Sequence, residues 1–209
     1  MFAVAPMPLP PAAPTRQLKH RRRLEVQVFV RDDGLWEVDA TLIDTKTRVA
    51  QMAEGLRPAG EPIHDMLLRL VVNAELDILQ AGSATLSMPY TGHCDDHGDA
   101  YAQLVGLNLL KNFRQQLRER LGGAKACTHL TELAQVLPTA VVQGMVGEVI
   151  DTRGTYPDAQ QPFQIDRCHA LRSDSEAVRI HYPRWYRAPT KAEPSQQPLS
   201  TPPARQETR

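Results

Sequence analysis

Each of the three cysteines stands close to a histidine in a polar, turn-like stretch. Cys94 lies in Gly92-His93-Cys94-Asp95-Asp96-His97-Gly98, Cys127 in Ala126-Cys127-Thr128-His129-Leu130, and Cys168 in Asp166-Arg167-Cys168-His169. Thiolates are the soft ligands that zinc, copper(I) and iron–sulfur clusters select. A helix N-terminus favours the thiolate form through its unpaired N–H groups and positive dipole end. Cys127 stands where the second helix of the chain should begin, and Cys94 precedes the first. A second group is Gly60-Glu61-Pro62-Ile63-His64-Asp65-Met66, in which a turn delivers His64 and Asp65 to the mouth of a strand. Side by side, these two are either borderline metal ligands or an acid–base pair. The plainer alternative has Asp65 capping the turn and His64 packing on the sheet edge.

The elements that must position these residues are legible from periodicity. Leu24, Val26, Val28 and Val30 alternate with polar residues, Asp32-Asp33-Gly34 makes a turn, and Trp36, Val38, Ala40 and Leu42 resume the alternation. That is a β-hairpin signature. Asp44 to Pro62 reads as a loop, with Asp44-Thr45-Lys46 as a turn carrying an exposed salt bridge. Met66–Val72 reads as a strand. Leu76, Ile78, Ala84, Leu86 and Met88 continue in one phase, with Gly82 a candidate bulge.

The period then changes. Between Asp99 and Leu121 the apolar residues Leu107, Leu110, Phe113, Leu117 and Leu121 recur three or four apart, which predicts an amphipathic helix ended by Gly122-Gly123. A second helix opens near Thr128, with Leu130, Leu133, Ala134 and Leu137 on one stripe. Pro138 must kink it or open a further helical turn reaching Val146. Phe163–Tyr186 reads as a short hairpin or a strap. The expected fold class is α+β: an antiparallel sheet of about four strands, followed by two or more helices packed on one face.

The chain has 209 residues, with 24 basic and 24 acidic side chains giving a formal charge of zero. A dedicated nucleic-acid binder normally carries a basic excess, so that class is disfavoured. The one dense basic run, Lys19-His20-Arg21-Arg22-Arg23, reads as a solvated strand entry. An odd number of cysteines makes a poor disulfide framework and suits a reducing compartment. No apolar run approaches the roughly 20 residues of a membrane span, and prolines break the apolar N-terminus that a secretory signal would need. A cytoplasmic protein is expected. Of the 17 prolines, five lie before residue 15 and five after residue 188. The expected organisation is a Pro-rich tail over 1–17, a single domain over 18–187, and a disordered tail over 188–209. There is no Walker loop, dinucleotide fingerprint or Gly-x-Ser-x-Gly elbow.

Several segments resemble an uncharacterised bacterial family known as domain of unknown function 2889: Arg31-Asp32-Asp33-Gly34-Leu35-Trp36, Leu42-Ile43-Asp44-Thr45-Lys46, Gly60 to Met66, Cys127 to Leu133, Cys168-His169-Ala170-Leu171 and Tyr182 to Tyr186. The resemblance covers most of residues 18–187 and implies no activity. In motif order the chain is also similar to iron–sulfur scaffolds of the NifU/IscU type, which set a Cys-Gly-Asp before a strand pair, a Gly-Cys after it, and a His-Cys at a later helix start. That likeness implies ligand positions at Asp65, Cys94 and Cys127. Ile63 departs from it where the first cysteine would stand, Ala126 replaces the histidine, and His93 intrudes before Cys94.

Three readings follow. The first is a metal-binding protein or iron–sulfur carrier, with Cys94 and Cys127 as thiolate ligands and Asp65, His64, His129 or Cys168 completing the set. Its cofactor would be an iron–sulfur cluster or zinc, and its partner a protein that receives cluster or metal. The second is an enzyme with Cys127 as nucleophile; because i,i+2 side chains diverge within a helix, His64 or His93 suits as base better than His129. The third is a non-catalytic interaction module with buried thiols.

Overall fold

The computed structural model describes residues 9–97, 99–153 and 160–189. The expected tails fall largely outside these residues. The chain divides into two compact units, Met1–Val149 and Ile150–Arg209. The fold is α+β, with the sheet first and the helices after it.

In the first unit, β1 (His20–Val30), β2 (Trp36–Lys46), β5 (Pro62–Val72) and β6 (Ile78–Ser87) form an antiparallel sheet in the order β1-β2-β5-β6. A separate two-stranded hairpin, β3 (Ala50–Met52) with β4 (Gly55–Arg57), fills the connection between β2 and β5. The stretch expected as a loop from Asp44 to Pro62 is therefore shorter: β2 runs on to Lys46 and β5 begins at Pro62. The bulges also differ from expectation. Register shifts fall at Asp44/Thr45, Asp65/Met66 and Val71/Val72, and Gly82 pairs in register with Arg69.

Strand period 2 sorts the side chains. On β2, Trp36, Val38, Ala40 and Leu42 are buried, and on β5 Met66, Leu68, Leu70 and Val72 share that face. Helix α2 (Thr128–Met145) packs across β1, β2 and β5, burying Leu130, Leu133, Ala134, Leu137, Val141, Val142 and Met145. Pro138 sits inside α2, which continues past it to Met145. Helix α1 (Phe113–Leu121) packs on α2 through Phe113, Leu117 and Leu121.

The helix expected over 99–121 is cut down to α1 and a 3-10 turn at Ala100–Leu104. The reason lies between them. Gly106 takes φ 81° and Asn112 φ 54°, left-handed conformations that end a right-handed helix. The backbone of 107–109 instead bonds to the entry of β6: Ile78 N–H donates to Leu107 O at 2.8 Å and Leu109 N–H to Leu76 O at 3.0 Å.

In the second unit the described residues carry helix α3 (Glu176–His181) and 3-10 turns at His169–Leu171 and Pro183–Trp185. The expected hairpin or strap over Phe163–Tyr186 thus contains helix and turns. Ser175 explains the change: its hydroxyl accepts from Val178 N–H at 3.2 Å, while Glu176 in the first turn and Arg179 and His181 in the last complement the helix dipole. Among the described residues, no helix is long and apolar enough to cross a membrane.

Candidate metal centre

The core-facing phase of three strands ends in polar residues at the same end of the sheet. Arg22 on β1 lies directly opposite Asp44 on β2, and Asp44 lies directly opposite His64 on β5. Asp44 is two residues on from Leu42 and His64 two residues before Met66, so both side chains point toward α2. The first turn of α2 brings His129 and Glu132 to the same place, with Cys127 as its N-cap residue.

The Asp44 carboxylate is the hub. Its side chain is only 3% exposed. Oδ1 accepts from Arg22 Nε at 2.9 Å and meets His20 Nε2 at 3.0 Å. Oδ2 accepts from Arg22 Nη2 at 2.7 Å and meets His64 Nδ1 at 3.0 Å. Arg22 Nη1 reaches on to Glu132 at 2.6 Å. Burial acts to raise the Asp44 carboxyl, but the Arg22 guanidinium, assisted by His64 and His20, outweighs it and holds the group down at about 2. The same hydrogen bond raises Arg22 further above its already high value. Asp44, read from sequence as an exposed turn residue, is thus the most buried charge in the cluster.

An ionised carboxylate only accepts, so His64 donates from Nδ1 and its Nε2 keeps the lone pair. The His129 ring lies on that of His64, with centroids 3.9 Å apart and planes tilted by 34°. Burial pushes the His64 imidazole down, against the opposing pull of Asp44. Burial, then the charges of His64 and Arg22, push His129 the same way. Both shifts favour the neutral ring, the form a metal requires. Asp44, His64 and His129 each offer a ligand atom within 4.8 Å of the others.

Cys127 lies beside this group: its Sγ is 4.0 Å from His129 Nδ1 and 3.9 Å from Met66 Sδ. The i,i+2 divergence expected of Cys127 and His129 does not apply, because Cys127 is outside the helix with φ −66° and ψ 125°. Tyr101, fully buried, fixes the helix start by donating to Cys127 O at 2.7 Å and meeting Thr131 Oγ1 at 3.0 Å.

The remaining candidate ligands sit elsewhere. Asp65 alternates to the sheet face opposite His64, opposite Ser87 in register. Cys94 lies in the turn after β6, its N–H donating to Tyr90 O at 2.9 Å. Cys168 is exposed and belongs to the second unit. Sequence reasoning passed over Arg22, Asp44 and His20. The signal for the first two was their phase, since each continues an apolar alternation into the covered face.

A family model described as "Protein of unknown function (DUF2889)" matches residues 20–143, a span that takes in all four sheet strands and nearly all of α2. No curated protein and no solved structure matches the chain significantly.

Proposed function

This chain belongs to the DUF2889 family, and we propose that it is a metal-binding protein whose ion is held at the Asp44–His64–His129 cluster. The observation that carries this reading is the approach of three ligand atoms from β2, β5 and α2 to within 4.8 Å of one another. Two features support it. Burial favours the neutral form of both imidazoles, which lessens proton competition for the ligating nitrogen. Asp44 is ionised, held low by Arg22, and so brings an anionic oxygen to the two rings.

Nitrogen and oxygen donors with one nearby thiol suit a single zinc-like ion better than an iron–sulfur cluster, which takes mainly thiolates. The three cysteines are free, and a reducing, cytoplasmic setting would keep them so.

The test is metal and acid-labile sulfide content of protein purified anaerobically without a metal-binding tag, followed by zinc and cobalt titration. The expected result is one ion per chain, no sulfide, and loss of the ion in His64→Ala and His129→Ala but not in Cys94→Ser or Cys168→Ser. Wild-type protein that takes up no added metal overturns the reading.

The approach of Cys127 Sγ to His129 Nδ1 favours a second reading, a thiol enzyme with His129 as base. Alkylation of Cys127 in metal-free protein well below pH 8.5, slowed by His129→Ala, would support it.

A further inference from the structure

We propose that Arg22 regulates this centre as a built-in competitor: its guanidinium holds the Asp44 oxygen that an ion needs, and Glu132 receives it when the ion binds. This rests on the metal-binding reading above, with Asp44, His64 and His129 as ligands, and deepens it by naming what sets the affinity.

A carboxylate has about four lone-pair positions, and four donors meet that of Asp44. Arg22 Nε and His20 Nε2 lie on Oδ1, and Arg22 Nη2 and His64 Nδ1 on Oδ2. An ion reaches this carboxylate only by displacing one of them. Both partners of Oδ1 come from β1, whereas Oδ2 meets His64 and so lies on the side of the ligating rings. On Oδ2 the choice is between Arg22 and His64, and His64 is itself a ligand. The guanidinium is the donor that gives way.

Charge points in the same direction. A cation at Oδ2 would share one carboxylate, only 3% exposed, with the arginine. Two like charges repel strongly where water screens them little. Arg22 has a second partner ready, since its Nη1 donates to Glu132 Oε2 on α2 at 2.6 Å. The Glu132 side chain is 46% exposed, so a full Arg22–Glu132 pair keeps its water. Pivoting about that bond frees Oδ2 and leaves each carboxylate with one cation. Because Arg22 grips Asp44 through two nitrogens at 2.9 and 2.7 Å, the ion competes against a strong bidentate pair. It is therefore held more weakly than its ligands alone would hold it.

The test is zinc affinity of the full-length protein, read by competition with a chromogenic chelator. Wild type, Arg22→Gln, Glu132→Gln, the double variant and Arg23→Gln are compared, with the fold of each followed by circular dichroism. Arg22→Gln should bind zinc about tenfold more tightly. An arginine that only shapes the site predicts the opposite sign, because its loss would loosen the ligands. Glu132→Gln changes an exposed side chain and should weaken binding about two- to fivefold, since the displaced guanidinium loses its receiver. In the Arg22→Gln background that effect should vanish. Arg23 is exposed on the other face of β1, so Arg23→Gln removes the same charge and should leave the affinity unchanged.

A wild type that binds zinc while folded Arg22→Gln binds it no more tightly overturns the competition alone. So does equal tightening in Arg23→Gln, or a Glu132→Gln variant that matches the wild type. Should Arg22→Gln fail to fold, Glu132→Gln decides. Failure of the wild type to bind zinc overturns the metal-binding reading, and this one with it.

Discussion

Arg22 and Asp44 face each other across the β1–β2 ladder, and the guanidinium closes on both carboxylate oxygens at 2.9 and 2.7 Å. The pair holds a charge in a position where the sheet otherwise buries Leu42, Ala40 and Val38. Breaking it from the arginine side leaves a carboxylate that is 3% exposed without its main counter-ion. Arg22→Ala should therefore destabilise the fold by about 3 kcal/mol, as breaking a buried pair does. Asp44→Asn in the same chain should recover part of that loss. Urea midpoints of the two single variants and the double variant check this; a loss under about 1 kcal/mol for Arg22→Ala would show that His20 and His64 suffice for Asp44.

Acid should destabilise the first unit in two stages. Asp44, held at about 2 against about 3.9 unfolded, contributes stability that is complete above pH 4 and lost as pH falls through 2. His64 and His129 are depressed below their ordinary value. The unfolded chain thus takes up their protons first, and stability declines as soon as pH drops below about 6.5. Both contributions have the same sign. Urea midpoints measured from pH 8 to pH 4 should fall in wild type, and the part between pH 7 and pH 5 should flatten in His64→Gln/His129→Gln. An unchanged slope in that variant would place the loss on other groups.

The sheet and the second helix were legible because their periods are clean: Trp36 to Leu42 alternates without a break, and Leu130 to Leu137 keeps one helical stripe. The centre was harder to read. His64 and His129 stand out as residue types, but nothing local says that they stack, since they are 65 residues apart in sequence and meet only through the packing of α2 on β5. Asp44 and Arg22 were discounted because charge usually marks solvent. Their phase said otherwise, as each extends an apolar alternation by one step. The helix overextended to Asp99 failed for a different reason. Leu107 and Leu110 fit a helical spacing, yet the left-handed Gly106 and Asn112 divert that stretch to pair with Leu76 and Ile78.

Tyr101 is a local test of how the helix start is held. Its hydroxyl bonds the Cys127 carbonyl and Thr131 while the ring is fully buried, and burial pushes the phenol up to about 12. Tyr101→Phe keeps the ring and removes the bonds, at a cost of about 1 to 2 kcal/mol. It should also weaken metal binding by loosening the helix start that carries His129, and it should leave the phenolate absorbance below about pH 11 unchanged, because Tyr101 stays protonated there. Equal metal affinity in Tyr101→Phe would mean that the N-cap is positioned without it.

The far end of α2 sets how closely the helix lies on β1, and hence where its first turn delivers Cys127 and His129. At Gly144 a side-chain carbon would stand 2.8 Å from both Cβ and Cγ1 of Val28. Val28 is β-branched and cannot rotate both branches away, so the helix must move. Gly144→Ala should therefore destabilise the fold by about 1 to 3 kcal/mol, although alanine is the better helix former. Val28→Ala alone should also cost stability, through lost packing. Combined with Gly144→Ala it should cost less than the sum, because the new methyl fills the space the valine leaves. A thermal-melt cycle over the four proteins measures the coupling, and strict additivity would mean that α2 and β1 do not meet at this point.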